Sequence, residues 1–446
     1  MSKKIYGIDL GTTNSVVAYG DELLTDLVAS VADVKNRKAG NSLRRNFDYT
    51  LSRSFKTSIS LGDEGIEPLE ASSLVLQELV NQVKAKTGET MRDVVISVPA
   101  AFDSNERTAT VKAANKIGLN VVSLVSEPTA AALQYNRGRR GLTVVYDLGG
   151  GTFDVSVIDN RSGYYMVKGT DGCKLGGSDL DNEIQKFVRI KSGMAKHRVK
   201  VSDLSLIVGM CEDAKLEIQR TMKDVVIDMS HFEYCGSKPT VTLTVEEYVQ
   251  LEGLVFNRTI EMTKEVIKNC ICDGEEYRIV LVGGSTRCPF LRKIVEVALE
   301  HPIEKVTYNP DTIVAEGAGY FAKLKETDSI NEMIQEITKG FGIQMEDGRI
   351  RPIIPPNSKI PTKGILRVKN AEDATGMQLR IYQGNDIIAK YNSYVGTMEF
   401  KYKEPMPAGE GEVFVQLVID ENGILQVIAR EPLQEEQKVT LRFRGC

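Results

Sequence analysis

An α/β fold of two similar halves, followed by a small all-β domain, is what this sequence predicts. Three observations carry it. A strand–turn–strand unit with an acid at the end of its first strand occurs twice, once near residue 9 and once near residue 147. Short apolar strands alternate with helical patterns as far as Leu324. Beyond Leu324 the helical patterns cease and strand signals dominate.

The repeated unit reads Ile5-Tyr6-Gly7-Ile8-Asp9-Leu10-Gly11-Thr12-Thr13-Asn14-Ser15-Val16 in its first copy. The second is Thr143-Val144-Val145-Tyr146-Asp147-Leu148-Gly149-Gly150-Gly151-Thr152-Phe153-Asp154-Val155. Asp9 matches Asp147, Leu10 matches Leu148 and Gly11 matches Gly149. A repeat this far apart implies two halves that face each other, so that two turns clamp one ligand. Glycines let the backbone approach a ligand, and a turn of bare N–H groups makes a concave anion site. Asp147 ends its strand where a carboxylate can face a metal on phosphates, and Thr152 adds a hydroxyl. One reading is a phosphate-binding hairpin for ATP with Mg²⁺; the other is a glycine turn between core strands. Neither copy fits the Walker pattern, so a P-loop is not the device.

The chain has 446 residues, enough for two or three domains, and is 42% hydrophobic, enough to bury full cores. Its net charge of −5 gives no electrostatic reason to expect nucleic acid. The basic patch Arg37-Lys38 through Arg44-Arg45 reads as a solvated loop. No apolar run reaches the length of a membrane span, and the N-terminus enters a strand without a signal segment. Seven cysteines at irregular spacing suit free thiols in a reducing, cytoplasmic setting. Three histidines argue against zinc.

Taken in order, Gly20 to Phe55 has no clear pattern. Lys56 reads as a surface lysine or a phosphate contact. Ala71 to Lys86 has helical spacing, and Asp93 to Val98 is a strand stopped by Pro99. Ser104 to Gly118 is a helix ending at glycine, and Asn120 to Val125 is a strand. Pro128 suits a first helical turn, and Glu127 before it is either a metal-side acid or a helix-start carboxylate. Val201 to Gln219 is helical and carries Glu212 and Lys215 one turn apart, a spacing usual for a surface ion pair. Val241 to Leu243 is a strand, and Val245 to Lys268 a helix. Arg278 to Arg287 repeats the strand-to-glycine theme, placing backbone amides and Arg287 where a base or ribose could sit. Ile313 to Leu324 is a last helix, rich in Ala and Gly. Lys325 to Ser329 is a polar boundary, and Met333-Ile334-Gln335-Glu336-Ile337 a short link. Met377, Leu379 and Ile381 alternate with polar residues, and Val413 to Ala429 is a hairpin turning at Asn422-Gly423.

These stretches resemble the DnaK-type family of seventy-kilodalton heat-shock chaperones. The matching strings are Gly7-Ile8-Asp9-Leu10-Gly11-Thr12-Thr13-Asn14-Ser15, Val94 to Ala100, Glu127-Pro128-Thr129-Ala130-Ala131-Ala132, Asp147 to Val155 and Val282-Gly283-Gly284-Ser285-Thr286-Arg287. Asn309-Pro310-Asp311, Tyr382-Gln383-Gly384 and Asn422-Gly423-Ile424-Leu425 extend the match to the end of the chain. Phe55-Lys56 and Asn309 to Ala315 look most like the HscC-type branch.

The resemblance implies an actin- and hexokinase-like two-lobed ATPase over 1–328, a linker over 329–338 and a peptide-binding β sandwich over 339–446. It places Mg²⁺, with K⁺ allowed beside it, between Asp9, Glu127 and Asp147, largely through water. Gly11, Thr12, Thr13, Asn14 and the amides of Gly149, Gly150, Gly151 and Thr152 hold the phosphates of ATP or ADP. Lys56 becomes the catalytic lysine that orients the attacking water. Glu212 and Lys215 face the ribose and adenine, and Gly283, Gly284, Ser285, Arg287 and Asp311 close the base site. Pro99 and Arg107 relay nucleotide state between domains. The peptide cleft involves Ile343, Met377, Leu379 and Val413, with Ala371 on one side of an arch; ordinary core is the other reading of the four apolar residues.

Departures from the family qualify the expected function. The segment between Lys56 and Pro99 is short, which implies a trimmed first lobe. Leu216 stands where many relatives carry a second adenine-side arginine. Ser123 stands where relatives usually carry the arginine that meets a J-domain co-chaperone, and the linker lacks a leucine run, so both argue against a standard J-protein partnership. A nucleotide exchange factor is a further partner that the family implies. Glu346 lies where the opposite arch residue is usually apolar, and no helical lid follows the last expected strand, Lys438 to Phe443. Without a lid, bound peptide should leave fast. The expected function is an ATP-driven chaperone for unfolded, apolar segments, a slow ATPase. The alternative is a nucleotide-gated adaptor for one dedicated partner. A sugar kinase or filament former on the same ATPase fold would leave the β domain unexplained.

Overall fold

The computed structural model describes residues 4–44, 51–53, 55–58, 66–163, 165–232, 240–327, 333–334, 336–337, 339–356, 358–432 and 437–439. The first copy of the repeat forms the antiparallel strands β1 (Ile5–Leu10) and β2 (Asn14–Tyr19). Helix α1 (Ile66–Thr87) begins earlier than its apolar spacing shows and leads to β3 (Asp93–Val98), which runs parallel to β1 with Ser97 beside Asp9. Helix α2 (Ser104–Lys116) starts on a capping box from Asp103 and Glu106. Strand β4 (Asn120–Ser126) then lies parallel to β3. Ser126, not Glu127, caps helix α3 (Glu127–Tyr135): its hydroxyl accepts from the Thr129 amide.

The second copy forms β5 (Leu142–Leu148) and β6 (Phe153–Asp159), again antiparallel, with β7 (Tyr165–Cys173) beside β6. Helices α4 (Gly177–Lys191), α5 (Val201–Thr221) and α6 (Val245–Cys270) follow. Strand β8 (Tyr277–Val282) is parallel to β5 with Val282 beside Asp147, and α7 (Pro289–Leu299) and α8 (Ile313–Glu326) close this part. Each sheet therefore has its aspartate-ended strand between a hairpin partner and a parallel neighbour. The repeat in sequence is a repeat in topology.

Apolar burial explains how the halves face each other. Val95 and Val125 of the first sheet and Val145, Val280 and Val282 of the second share one cluster with Ala130, Ala131, Ile313 and Ala318. The small residues of α3 and α8 let both helices wedge between the sheets. Tyr146, Phe153, Phe256 and Leu281 centre the second half's own core, and Ile8, Leu76, Leu79 and Ile96 the first.

After Glu326 the described chain is strands and short turns. Strands β9 (Phe341–Gln344), β10 (Ile350–Ile354), β11 (Thr362–Lys369), β12 (Ala374–Gln383), β13 (Ser393–Met406), β14 (Glu412–Ile419), β15 (Leu425–Arg430) and β16 (Gln437–Val439) form two four-stranded sheets, ordered β10-β9-β12-β13 and β11-β14-β15-β16. Residues of both, such as Ile343, Ile381 and Met398 with Val413, Leu417 and Val427, share one core. Of the last expected strand, Lys438 and Val439 lie in β16, and residues 440–446 lie outside the described residues. Most of the expected linker, 329–338, lies outside them too. Two pieces of it are short strands: Met333–Ile334 pairs with the edge of β7, and Glu336–Ile337 with Ser358–Lys359. Among the described residues no helix is long and apolar enough to cross a membrane.

The β region sits against α2 and β4. Ser104 donates its amide to Gln383 Oε1 (3.0 Å) and accepts at Oγ from the Leu425 amide (2.9 Å). Asn105 donates to the Val395 carbonyl (3.1 Å), and the Leu124 amide donates to Asn422 Oδ1 (2.8 Å).

Candidate active site

The turns after β1 and β5 meet across a cleft of about 400 Å³. A Cβ on Gly150 would stand 1.9 Å from Thr13 Oγ1, so a side chain there would force the Thr13 hydroxyl aside. The Gly149 carbonyl is tied by the Gly177 amide (3.0 Å) and by Ser285 Oγ (2.8 Å), and the Gly150 carbonyl by the Ser178 amide (2.8 Å). The amides of Thr12, Thr13, Gly150 and Gly151 bond to nothing among the described residues. Two turns with fixed carbonyls and unspent amides suit an anionic ligand such as a polyphosphate.

Three acids and one lysine lie beneath the turns. Lys56 is buried and paired with Glu127. Asp9 accepts from Ser97 Oγ (2.8 Å), and burial with the charge of Glu127 pushes its carboxyl up to about 6. Burial, then Glu127, Asp154 and Asp9, push Asp147 well above the usual carboxylate range. Burial opposes the Lys56 charge, yet Glu127 and Asp9 hold its ammonium above the usual value. Among the described residues no three acidic, cysteine or histidine side chains converge tightly enough to hold a bare metal ion. The repulsion between Asp9, Glu127 and Asp147 is what a hydrated divalent cation would relieve, so the set fits Mg²⁺ kept behind its own waters.

The opposite wall is built by α4, α5 and the turn after β8. Glu212, Lys215, Gly283, Gly284, Ser285, Arg287 and Asp311 all line the cleft. Glu212 and Lys215 do not form the surface pair their spacing suggests. Lys215 is buried and bonds Asp181 (2.8 Å) and the Gly177 carbonyl (3.3 Å), because α4 crosses α5 there. Arg287 pairs with Asp311 (2.5 Å). Leu216 lines the cleft and is 52% exposed. In the basic patch Arg37, Lys38 and Arg44 are exposed, as a solvated loop requires, and Arg45 lies outside the described residues; Arg44 in addition lines the cleft and donates to Asn14 Oδ1 (2.6 Å).

Of the residues expected at the ligand, Asp9, Gly11, Thr12, Thr13, Asn14, Lys56, Glu127, Asp147, Gly149, Gly150 and Thr152 line the cleft together, and Gly151 stands just outside it. Sequence reasoning passed over Asp154, Asp181, Ser178 and Gln219. Asp154 was visible, two residues beyond Thr152 in the same hairpin. It is buried, accepts from the Ala101 amide (3.0 Å), and burial with Glu127 pushes it up to about 7. Asp181 and Gln219 carry no local signal, since only helix crossing brings them to the cleft.

Pro99 and Arg107 lie off the cleft, on the side of the β region. The Pro99 carbonyl accepts from Phe102 N (3.2 Å), and Arg107 donates to the carbonyls of Phe102 (3.2 Å) and Asn422 (3.3 Å). A bonded path thus runs from Asp154 through Ala101, Phe102 and Arg107 to the β14–β15 turn. In the β region, Ile343 and Val413 are wholly buried, Met377 and Leu379 partly buried, and Ala371 exposed. A groove of about 730 Å³ between the ends of β12 and β13 takes in Met377, Phe400 and Met406 but not the other four.

A model of the Hsp70 protein family matches residues 43–444. The chain belongs to the Hsp70 family. It is 32% identical to a chaperone protein DnaK of Mycoplasmoides gallisepticum over 96% of this chain and 78% of that protein. It is 30% identical to a chaperone protein DnaK of Deinococcus radiodurans, over 98% of this chain and 79% of that one. A mitochondrial-type heat shock protein 70 of Encephalitozoon hellem is 30% identical over 96% of this chain and 82% of its own length. Membership in the Hsp70 family accords with the paired acid-and-glycine turns and the three-acid cluster beneath them.

Proposed function

We propose that the cleft binds ATP with Mg²⁺ and hydrolyses it slowly, and that nucleotide state governs how the β region holds an extended apolar peptide. The observation that carries this reading is the buried Lys56–Glu127 pair, flanked by Asp9 and Asp147 under two turns of unspent amides. The amides of Thr12, Thr13, Gly150 and Gly151 hold phosphate oxygens. Lys56 orients the attacking water and offsets charge on the γ-phosphate. Asp9, Glu127 and Asp147 would hold a hydrated Mg²⁺, which would supply neutralisation of phosphate charge. Lys215 and Arg287, set by Asp181 and Asp311, hold ribose and base.

The ATPase part spans 1–328, the linker 329–338 and the peptide-binding sandwich 339–446. The path through Pro99 and Arg107 to Asn422 carries nucleotide state to the sandwich. Peptide is held by Ile343, Ala371, Met377, Leu379 and Val413; since Ile343 and Val413 are core residues, the sheets must part for peptide to reach them. Phe55-Lys56 and Asn309 to Ala315 favour the HscC-like branch. The test is the ATPase rate with and without a hydrophobic heptapeptide, wild type beside Lys56→Ala. Stimulation by peptide in the wild type and loss of hydrolysis in the variant support the reading; no hydrolysis in the wild type overturns it. The buried Ser123 and exposed Glu346 favour a second reading, an adaptor for one partner. It predicts hydrolysis unchanged across a varied peptide library.

A further inference from the structure

At the end of the second half away from the cleft, arginines are displayed on two turns that are clasped together. The turn Arg137-Gly138-Arg139-Arg140-Gly141 leads into β5, so it lies about 20 Å along that strand from Leu148 at the cleft. Asn160, 3% exposed in the turn between β6 and β7, fixes it. Its Nδ2 donates to the Arg139 carbonyl (2.7 Å), and its Oδ1 accepts from the Gly141 amide (2.8 Å). Arg140 donates to the Arg161 carbonyl (3.3 Å), and Arg278 of β8 donates to the Arg140 carbonyl (3.0 Å). Arg139 lies over the Tyr135 ring, 4.8 Å from its centre. The carboxylates at hand are already engaged. Asp159 (2.6 Å) and Glu275 (2.7 Å) both pair with Arg161, and Glu304 accepts from the Tyr135 hydroxyl (2.9 Å). Lys168 of β7 adds its charge beside Asp159 and Glu275. Arg139, Arg140, Arg278 and Lys168 thus make no ion pair among the described residues, and Arg278 Nε is buried without a hydrogen-bond partner. Like charges held this near one another repel, and an anion between them relieves the repulsion.

We propose that this arginine surface docks an acidic, extended protein segment. Guanidinium forks take carboxylates bidentately, and turns held this firmly lose little freedom when they do. Nucleic acid fits worse. The chain carries a net charge of −5, so a long polyanion would run off the patch onto a surface that repels it. The nearby rings are already packed and give bases little to stack on: Tyr135 lies under Arg139 and against Tyr308, and Tyr277 is stacked on His301 (4.1 Å). A short segment with several carboxylates matches the patch in size and in sign. None of these residues lines the nucleotide cleft, so the inference stands apart from the reading of that cleft.

Fluorescence anisotropy on the whole chain tests it, with a labelled peptide of alternating glutamate and serine as the probe. That peptide has no apolar side chain for an apolar cleft to hold. Its lysine–serine counterpart should bind at least about tenfold more weakly, and added salt should weaken the glutamate peptide. Arg139→Glu combined with Arg140→Glu should cost the glutamate peptide about tenfold while strengthening the lysine peptide. Three results overturn the proposal: no saturable binding of the glutamate peptide, equal binding of it by wild type and variant, or tighter binding of an oligothymidylate than of the glutamate peptide. Both substituted side chains are exposed, so the variant should fold. If it does not, Arg140→Gln decides the matter: losing one fork without adding a charge should weaken the glutamate peptide about threefold, and no loss overturns the proposal.

Discussion

Lys56 is 4% exposed and its charge is balanced only by acids. Removing the ammonium leaves Glu127, Asp9 and Asp147 together without a counter-charge. Lys56→Ala should therefore lower stability by about 3 kcal/mol in urea unfolding without ligand, and slow single-turnover ATP hydrolysis by about a hundredfold or more. Asp181 gives a pH signature. Burial pushes its carboxyl up to about 6 despite the opposing pull of Lys215. The folded chain thus binds that proton more tightly than the unfolded chain does. The stability this confers is fully present below about pH 4 and is lost as pH rises through about 6. Asp181→Asn should remove up to about 3 kcal/mol from the pH-dependent fall in stability between pH 4 and 6.5, read as the difference in urea midpoints between the two proteins. An equal slope in both would show that Asp181 ionises as freely folded as unfolded. Lys56 also shows the limit of local reading: its sequence neighbours look like those of any surface lysine, and the partner it is buried against, Glu127, lies far away in the chain.

At the scale of elements, the repeated hairpins and most helices were legible because their apolar periods are strong. Boundaries were less so. Helix α1 begins at Ile66, ahead of its first periodic residues, and α8 continues through Lys325 and Glu326, which read as a polar boundary. Polar residues on an exposed last turn give no apolar signal. The contact between α3 and α8 depends on small residues: a Cβ on Gly317 would stand 1.8 Å from the Ala130 carbonyl oxygen. Backbone cannot swing aside as a side chain does. Gly317→Ala should cost more than about 2 kcal/mol, seen as a lower thermal midpoint, while Gly138→Ala, at a turn with open space around it, should show only the penalty of its positive φ.

Among the described residues, one turn of the β region makes two of the hydrogen bonds that join it to the rest of the molecule. Asn422 accepts from the Leu124 amide and its own carbonyl accepts from Arg107, so one turn holds both β4 and α2. Asn422→Ala should weaken that seating. Small-angle scattering should then show a larger radius of gyration than the wild type under the same nucleotide condition. An unchanged radius would mean that the remaining contacts, among them Ser104, Asn105, the Arg107 bond to the backbone carbonyl of residue 422, the Lys325–Glu421 pair and the strand pairing of Met333–Ile334 with β7, suffice to hold the parts together.

The order of strands and helices, the two acid-and-glycine turns and the change to an all-β texture after Leu324 follow from the sequence by itself. They rest on local periodicity and turn chemistry, which act between near neighbours. Only the tertiary structure decided that Lys215 pairs with Asp181 rather than Glu212, that Arg44 reaches the cleft, and that Gln219 is held by Tyr248. These pairings join residues on separate elements. Which of several nearby charges or amides meets a given side chain depends on how helices cross, and that is set by packing of the whole core.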